Sequence, residues 1–209
     1  KYDNLGRVVA SGHYASTSGL GASSDPTSAA TNRMGLSETF YDERGRAWKT
    51  VRHKIDQSDG SSDDTLVSQS WFDSEGRVIK SQGEHLTKTV YDRLGRATRR
   101  YVLATTNDSG YGDASGVAGD IVMEETVTGY EATTGNALIT ATVSRNWGDR
   151  NSGSGETTGP LDTNADTSDL KVTAANVTGR VQITAMWYDA LNRLTDTAQY
   201  GTNNGSDLD

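Results

Sequence analysis

Tyr91-Asp92-Arg93-Leu94-Gly95-Arg96-Ala97 decides the fold, because this constrained string recurs along the chain. It aligns without gaps with Tyr2-Asp3-Asn4-Leu5-Gly6-Arg7-Val8, Tyr41-Asp42-Glu43-Arg44-Gly45-Arg46-Ala47, Phe72-Asp73-Ser74-Glu75-Gly76-Arg77-Val78 and Tyr188-Asp189-Ala190-Leu191-Asn192-Arg193-Leu194. The shared pattern is aromatic-Asp-x-x-Gly/Asn-Arg-apolar, and each place in it has a physical job. The aromatic ends a strand and offers a large stackable face. The Asp starts a turn, since its carboxylate can accept backbone N–H groups two residues on. The Gly meets a demand for positive φ in a type I turn followed by a bulge. The single departure at that place is Asn192, the residue next best suited to the left-handed region. The Arg opens the return strand, within reach of carboxylates and rings of neighbouring hairpins.

Working outward, the flanks read as strands. Runs such as Leu36–Tyr41, Leu66–Phe72, Leu86–Tyr91 and Val181–Tyr188 precede the motif, and Ala47–Val51, Val78–Ser81 and Ala97–Val102 follow it. Their period of two and β-branched content mark strands. Ile121–Val127 and Ala137–Val143 read the same way. Two degenerate copies are candidates: Tyr130-Glu131-Ala132-Thr133-Thr134-Gly135-Asn136, with one extra residue and no Arg, and Thr178-Gly179-Arg180-Val181, which has no aromatic. The fold class is therefore all-β, an antiparallel β-hairpin repeat array in a long curved sheet. Residues 1–120 form hairpins with long inserts, and 121–209 continue the sheet with degenerate copies and a final motif. The two stretches make one continuous domain or, alternatively, the second half is a separate small β-domain.

Composition agrees. The 209 residues are 33% hydrophobic and include 23 Gly, and mean hydropathy is −0.66. A sheet with one wet face needs apolar residues only at alternate places, so it tolerates such polarity. A net charge of −8 repels a nucleic-acid backbone, so no nucleic-acid partner is expected. Without cysteine there are no disulfides or zinc-thiolate sites. No apolar run reaches membrane-spanning length, so no membrane insertion is expected. The chain opens mid-pattern at Lys1-Tyr2-Asp3, which reads as a piece of a longer protein.

The five copies resemble the YD repeat of the RHS family, which includes bacterial Rhs and wall-associated proteins, B and C components of insecticidal toxin complexes, and teneurins. The resemblance implies hairpins winding into a hollow shell, which in toxin members encloses a C-terminal effector. It implies a secreted or cell-surface location. The partners it implies are the flanking repeats of the parent chain, together with an enclosed effector, a glycan or a surface protein. The family's autoproteolytic aspartate segment has no counterpart here, which places this chain upstream of any cleavage site. Spacing departs from the family pattern of near twenty residues: the motif aromatics stand at 2, 41, 72, 91 and 188. Inserts rich in Gly, Ser, Thr, Asp and Asn, at 11–35, 56–65, 104–120 and 148–169, account for it, and loops this long are usually functional or disordered.

Candidate chemistry is sparse. Asp162, Asn164, Asp166 and Asp169 place oxygen ligands at near-alternate positions, as a calcium loop does, although no Gly follows Asp166 and position twelve is Thr173. Calcium is the only cofactor suggested; otherwise none is expected. Asp59, Asp63 and Asp64 form a second acidic loop. His13, His53 and His85 show no metal-ligand or base spacing. Gly110–Gly116 spaces its glycines loosely with no helix expected after it, which argues against a phosphate cradle. The motif aspartates recur in every unit, as structural residues of arrays do, so no catalytic residue is assigned and the chain is read as non-catalytic. Trp48 and Trp147 are candidates for stacking on sugar rings, while Trp71 and Trp187 directly precede a motif aromatic and so face the other side of their strands. Two functions follow: a structural shell or scaffold segment, or an extracellular module that binds carbohydrate or protein.

Overall fold

The computed structural model describes residues 1–145, 158–161 and 179–201. These residues form an all-β antiparallel hairpin array. The strands are β1 (Ala10–Tyr14), β2 (Arg33–Tyr41), β3 (Ala47–Ile55), β4 (Ser62–Phe72), β5 (Val78–Gln82), β6 (Leu86–Tyr91), β7 (Ala97–Thr105), β8 (Ile121–Tyr130), β9 (Ala137–Arg145), β10 (Gly179–Tyr188) and β11 (Leu194–Gln199). Within β1–β4 and within β6–β11 the order in the sheet is the order in the chain. Every sequence-expected strand is present, and several run longer. β1 was not foreseen: Ala10–Tyr14 pairs with β2 although Ser11-Gly12-His13 lacks apolar alternation, because β2 supplies a ladder to pair with. β1 and β4 therefore shorten the first two inserts to 15–32 and 56–61.

The chain divides into two compact units, residues 1–72 with 81–84, and residues 73–80 with those from 85 onward. In the first, Leu36, Val51 and Ile55 are buried on the sheet. Its two inserts are tied by Arg33, only 5% exposed. The Arg33 guanidinium donates to the Gly60 carbonyl from Nε (3.0 Å) and Nη2 (2.7 Å), and to the Pro26 carbonyl from Nη1 (2.8 Å).

In the second unit, one face of the sheet is buried. Tyr101, Leu103, Val122, Ile139, Ala141, Val143 and Ile183 form a cluster that also includes Val117 and Leu161. The register explains the grouping: Leu103 lies opposite Val122, and Ala141 lies between Val127 and Ile183. Val117 belongs to the 106–120 segment and Leu161 to the short 158–161 segment, so non-strand chain covers this face. The stretch 104–120, read as a loop from sequence, thus begins within β7 and otherwise packs on the sheet. The apolar face needs a cover, and the insert provides it. A 3-10 turn at Tyr111–Ser115, also not foreseen, shapes that cover and buries Ala114.

The sequence is short of apolar residues, but the alternation is clean in β9. β9 buries Ile139, Ala141, Val143 and Arg145 in strict period two. In each unit the motif turns join strands at one end and the inserts join them at the other. Irregular insert length therefore leaves the motif rows in register.

Candidate functional site

Each motif turn is a small clamp. Asp92 illustrates it: Oδ1 accepts the Leu94 and Arg96 backbone N–H groups (2.9 Å each), and Oδ2 accepts Arg96 Nε–H at 2.7 Å. The Asp92 N–H donates to the Arg96 carbonyl and the Gly95 N–H to the Asp92 carbonyl. The same backbone pair closes the turns at Asp3, Asp42, Asp73 and Asp189. Their carboxylates likewise hold Arg7, Arg46, Arg77 and Arg193. Gly6, Gly45, Gly76 and Gly95 have φ between 75° and 88°, and Asn192 has 60°, as the turn reading requires. A register shift adjoins the turns at Asp42, Asp92 and Asp189, at Phe40/Tyr41, Val90/Tyr91 and Trp187/Tyr188. This bulge re-aims the motif aromatic.

The clamps are linked from one repeat to the next. The guanidinium carbon of Arg7 lies 4.5 Å from the Tyr41 ring centroid, Arg46 4.3 Å from Phe72, Arg77 4.8 Å from Tyr91 and Arg96 4.4 Å from Tyr130. Each Arg thus binds its own turn's Asp and covers the next repeat's ring. The ring answers: Tyr41 donates its hydroxyl proton to the Val8 carbonyl (3.1 Å), Tyr91 to Val78 (3.1 Å), Tyr130 to Ala97 (2.9 Å) and Tyr188 to Ala137 (3.0 Å). Every acceptor directly follows the Arg place of the preceding repeat. Sequence reasoning assigned the ring stacking but missed this hydroxyl bond; the buried face it expected is only half-buried at Tyr41, Phe72, Tyr91, Tyr130 and Tyr188, and Tyr2 is exposed. The signal for it was the choice of Tyr over Phe at four of the five aromatic places. Phe72 is the exception and has no hydroxyl to offer.

The first degenerate copy is a true member. Tyr130 receives Arg96 and bonds to Ala97, Gly135 has φ 79°, and the Glu131 N–H donates to the Asn136 carbonyl. Glu131 stands where Asp stands elsewhere, and its longer side chain reaches the Thr133 and Thr134 N–H groups of the longer turn. In the second, Gly179 and Arg180 open β10, opposite Arg145 and Ser144; Thr178 lies outside the described residues.

These carboxylates titrate low. Bonds from Thr134, side chain and then backbone, take Glu131 from an ordinary 4.5 down to about 2. Asp92 is lowered first by the Arg96 backbone N–H and then by its guanidinium. A depressed carboxylate contributes stability that is present above its unfolded value and lost as pH falls through the folded one. The melting temperature should therefore decline from about pH 4 toward pH 2. Glu131→Gln, which titrates nowhere in that window, should show a shallower decline. An equally steep profile in that variant would show that Glu131 contributes nothing to the acid transition.

A buried charge cluster fixes the long insert of the second unit. Lys88 is 2% exposed, and its Nζ donates to Asp108 Oδ1 (2.6 Å), Asp120 Oδ2 (2.7 Å) and the Gly116 and Asp113 carbonyls (2.6 and 3.0 Å). Lys80 Nζ bonds Asp108 Oδ2 at 2.8 Å. Asp120, 0% exposed, also accepts Thr106 Oγ1–H and the Asn107 N–H. Nearby, buried Glu125 pairs with Arg99 and accepts the Leu161 N–H at 2.7 Å. These groups bind one another, so the arrangement is architectural.

The remaining sequence candidates are placed as follows. Asp162, Asn164, Asp166, Asp169 and Trp147 lie outside the described residues. The expected acidic loop is split: Asp59 accepts the Ser61 backbone N–H in the 56–61 insert, whereas Asp63 and Asp64 lie on β4, where Asp64 accepts the Thr65 N–H. Among the described residues no three metal-ligating side chains converge. His13 and His85 are exposed. His53 instead joins a relay across three strands: Nε2 meets Glu38 Oε2 at 2.7 Å and Nδ1 meets Ser62 Oγ at 2.8 Å. No sequence spacing could have shown this, since the partners are brought together by strand pairing. Trp48 is 37% exposed beside Phe40, at 39%, with ring centroids 6.4 Å apart. Trp187 is also exposed, on β10.

No family model matches the chain, and no curated protein does. Among solved structures the chain is similar to one titled "Crystal Structure of TcdB2-TccC3-Cdc42", with 11% sequence identity and a TM-score of 0.37. The likeness covers 100% of this chain and 11% of that one, so the chain spans about a ninth of its length.

Proposed function

We propose that this chain is a non-catalytic YD/RHS-type structural segment of a large secreted or cell-surface protein, serving as a scaffold or as part of a wall around an effector. The observation that carries this reading is the fate of the motif residues. Each Asp is spent on its turn, each described Arg from Arg7 to Arg96 on its Asp and the next ring, and each motif Tyr after Tyr2 on the preceding carbonyl. Repeated residues so engaged build extent and rigidity, not a reaction centre. Arg193 keeps its Asp189 bond but is 73% exposed, with no ring over it among the described residues. A further repeat supplying an aromatic is the partner that fits it.

The test is electron microscopy of the full-length polypeptide that contains this chain, paired with limited proteolysis. A hollow, walled particle that shields an internal segment from protease is expected. A solid globule, or an internal segment digested as fast as in the unfolded protein, overturns the enclosure.

A further inference from the structure

We propose that an open groove in the first unit, between Phe40, Trp48 and Glu38, is a binding site for a neutral saccharide. It goes beyond the scaffold reading and does not depend on it, because it uses side chains outside the repeated motif.

The groove encloses about 540 Å³ and lies between the first motif turn and β2–β3. That is within the size range of small-ligand sites. Its apolar wall is the Phe40–Trp48 pair, whose rings are tilted at 58° and both more than a third exposed. Trp48 is the residue passed over in the β2–β3 register, where Phe40 faces Lys49 and Tyr41 faces Ala47. The bulge therefore presents an aromatic where a regular ladder would have placed it against a partner strand. A bulged tryptophan left open on a polar sheet calls for a ligand with a flat apolar face.

The polar wall is Glu38 with Thr39. Glu38 Oε2 is held by His53, itself held by Ser62, so the carboxylate is fixed at one oxygen. Its Oε1 has no hydrogen bond among the described residues and is available to accept from hydroxyls. Around the groove Arg7 pairs with Asp3 and Lys1 Nζ with Asp25, while Lys49 Nζ lies over the Phe40 ring at 5.1 Å, which leaves Trp48 as the open stacking face. The carboxylate oxygen left open in the groove disfavours an anionic ligand. A sugar ring combines the two matching features, a C–H face for the tryptophan and a rim of hydroxyl donors for the carboxylate.

The experiment is a printed array of neutral α- and β-linked gluco-, galacto- and manno-oligosaccharides, followed by calorimetric titration of the best-binding one. At least one is expected to bind. Trp48→Ala should weaken it tenfold or more, and Glu38→Gln, which keeps volume but weakens the acceptor, severalfold. Trp187→Ala, in the second unit, should leave binding unchanged. Circular dichroism and melting of each variant separate lost binding from lost folding, and if Trp48→Ala fails to fold, Glu38→Gln decides. No binding on the array overturns the proposal, as does undiminished affinity in folded Trp48→Ala or Glu38→Gln.

Discussion

Replacing Lys88 by Met should destabilise the second unit by about 3–5 kcal/mol, the cost expected when one partner of a buried ion pair is removed. Met keeps most of the apolar stem, so the change isolates the ammonium. Without it, Asp120, fully buried, loses its cation, and the Asp113 and Gly116 carbonyls lose their donor. Thr106 and Asn107 still bond Asp120, but neither carries charge. The insert that these contacts hold down carries Val117 and Ala114, so part of the sheet's cover should loosen with it. Lys80→Met should cost less, because Asp108 keeps Lys88. The double variant Lys88→Met/Asp120→Asn should recover part of the loss, because the stranded charge is then gone. Urea unfolding of the four proteins measures this. A Lys88→Met penalty below about 1 kcal/mol, the range of exposed pairs, would refute the buried-pair account.

Gly60→Ala should be the most damaging glycine replacement in the first unit. At Gly60 φ is +76°, and an added Cβ would stand 1.8 Å from the Ala30 carbonyl oxygen and 2.8 Å from its carbon. Both are backbone atoms and cannot swing aside. The same loop presents the Gly60 carbonyl to Arg33, so the clash would also disturb the contact that ties the two inserts together. Gly6→Ala is the matched control: φ is +75°, but nothing lies within 4 Å of its Cβ. Left-handed strain alone costs about 1–2 kcal/mol per residue. Gly6→Ala should fall in that range, and Gly60→Ala should exceed it by about 2 kcal/mol or more, comparable to severe overpacking. Equal penalties from chemical denaturation would mean that the Ala30 contact relaxes freely.

The two variants also mark how far the sequence could be read. The motif turns were fully legible, because everything they need lies within five residues. Asp92 bonds Leu94 and Arg96, and Gly95 turns the chain. Asn192 in place of Gly was informative for the same local reason. The burial of the second unit was half legible: β8 and β9 declare a buried face, but not that Val117 and Leu161 would cover it. The sites discussed above were the least legible. Glu38, His53 and Ser62 become neighbours only when β2, β3 and β4 pair in their particular register.

By itself, then, the sequence determined the all-β class, the hairpins and the place of every motif turn. These follow from dihedral preference, short-range hydrogen bonding and period-two alternation, all of which act over a few residues. The tertiary structure alone decided that β1 pairs with β2, which neighbouring ring Arg7, Arg46, Arg77 and Arg96 each cover, and that Tyr41, Tyr91, Tyr130 and Tyr188 bond back to carbonyls 13 to 51 residues away. It alone made anchors of Lys88 and Arg33. Those outcomes depend on which strands become neighbours and where a bulge points a side chain, and composition and spacing carry no record of either.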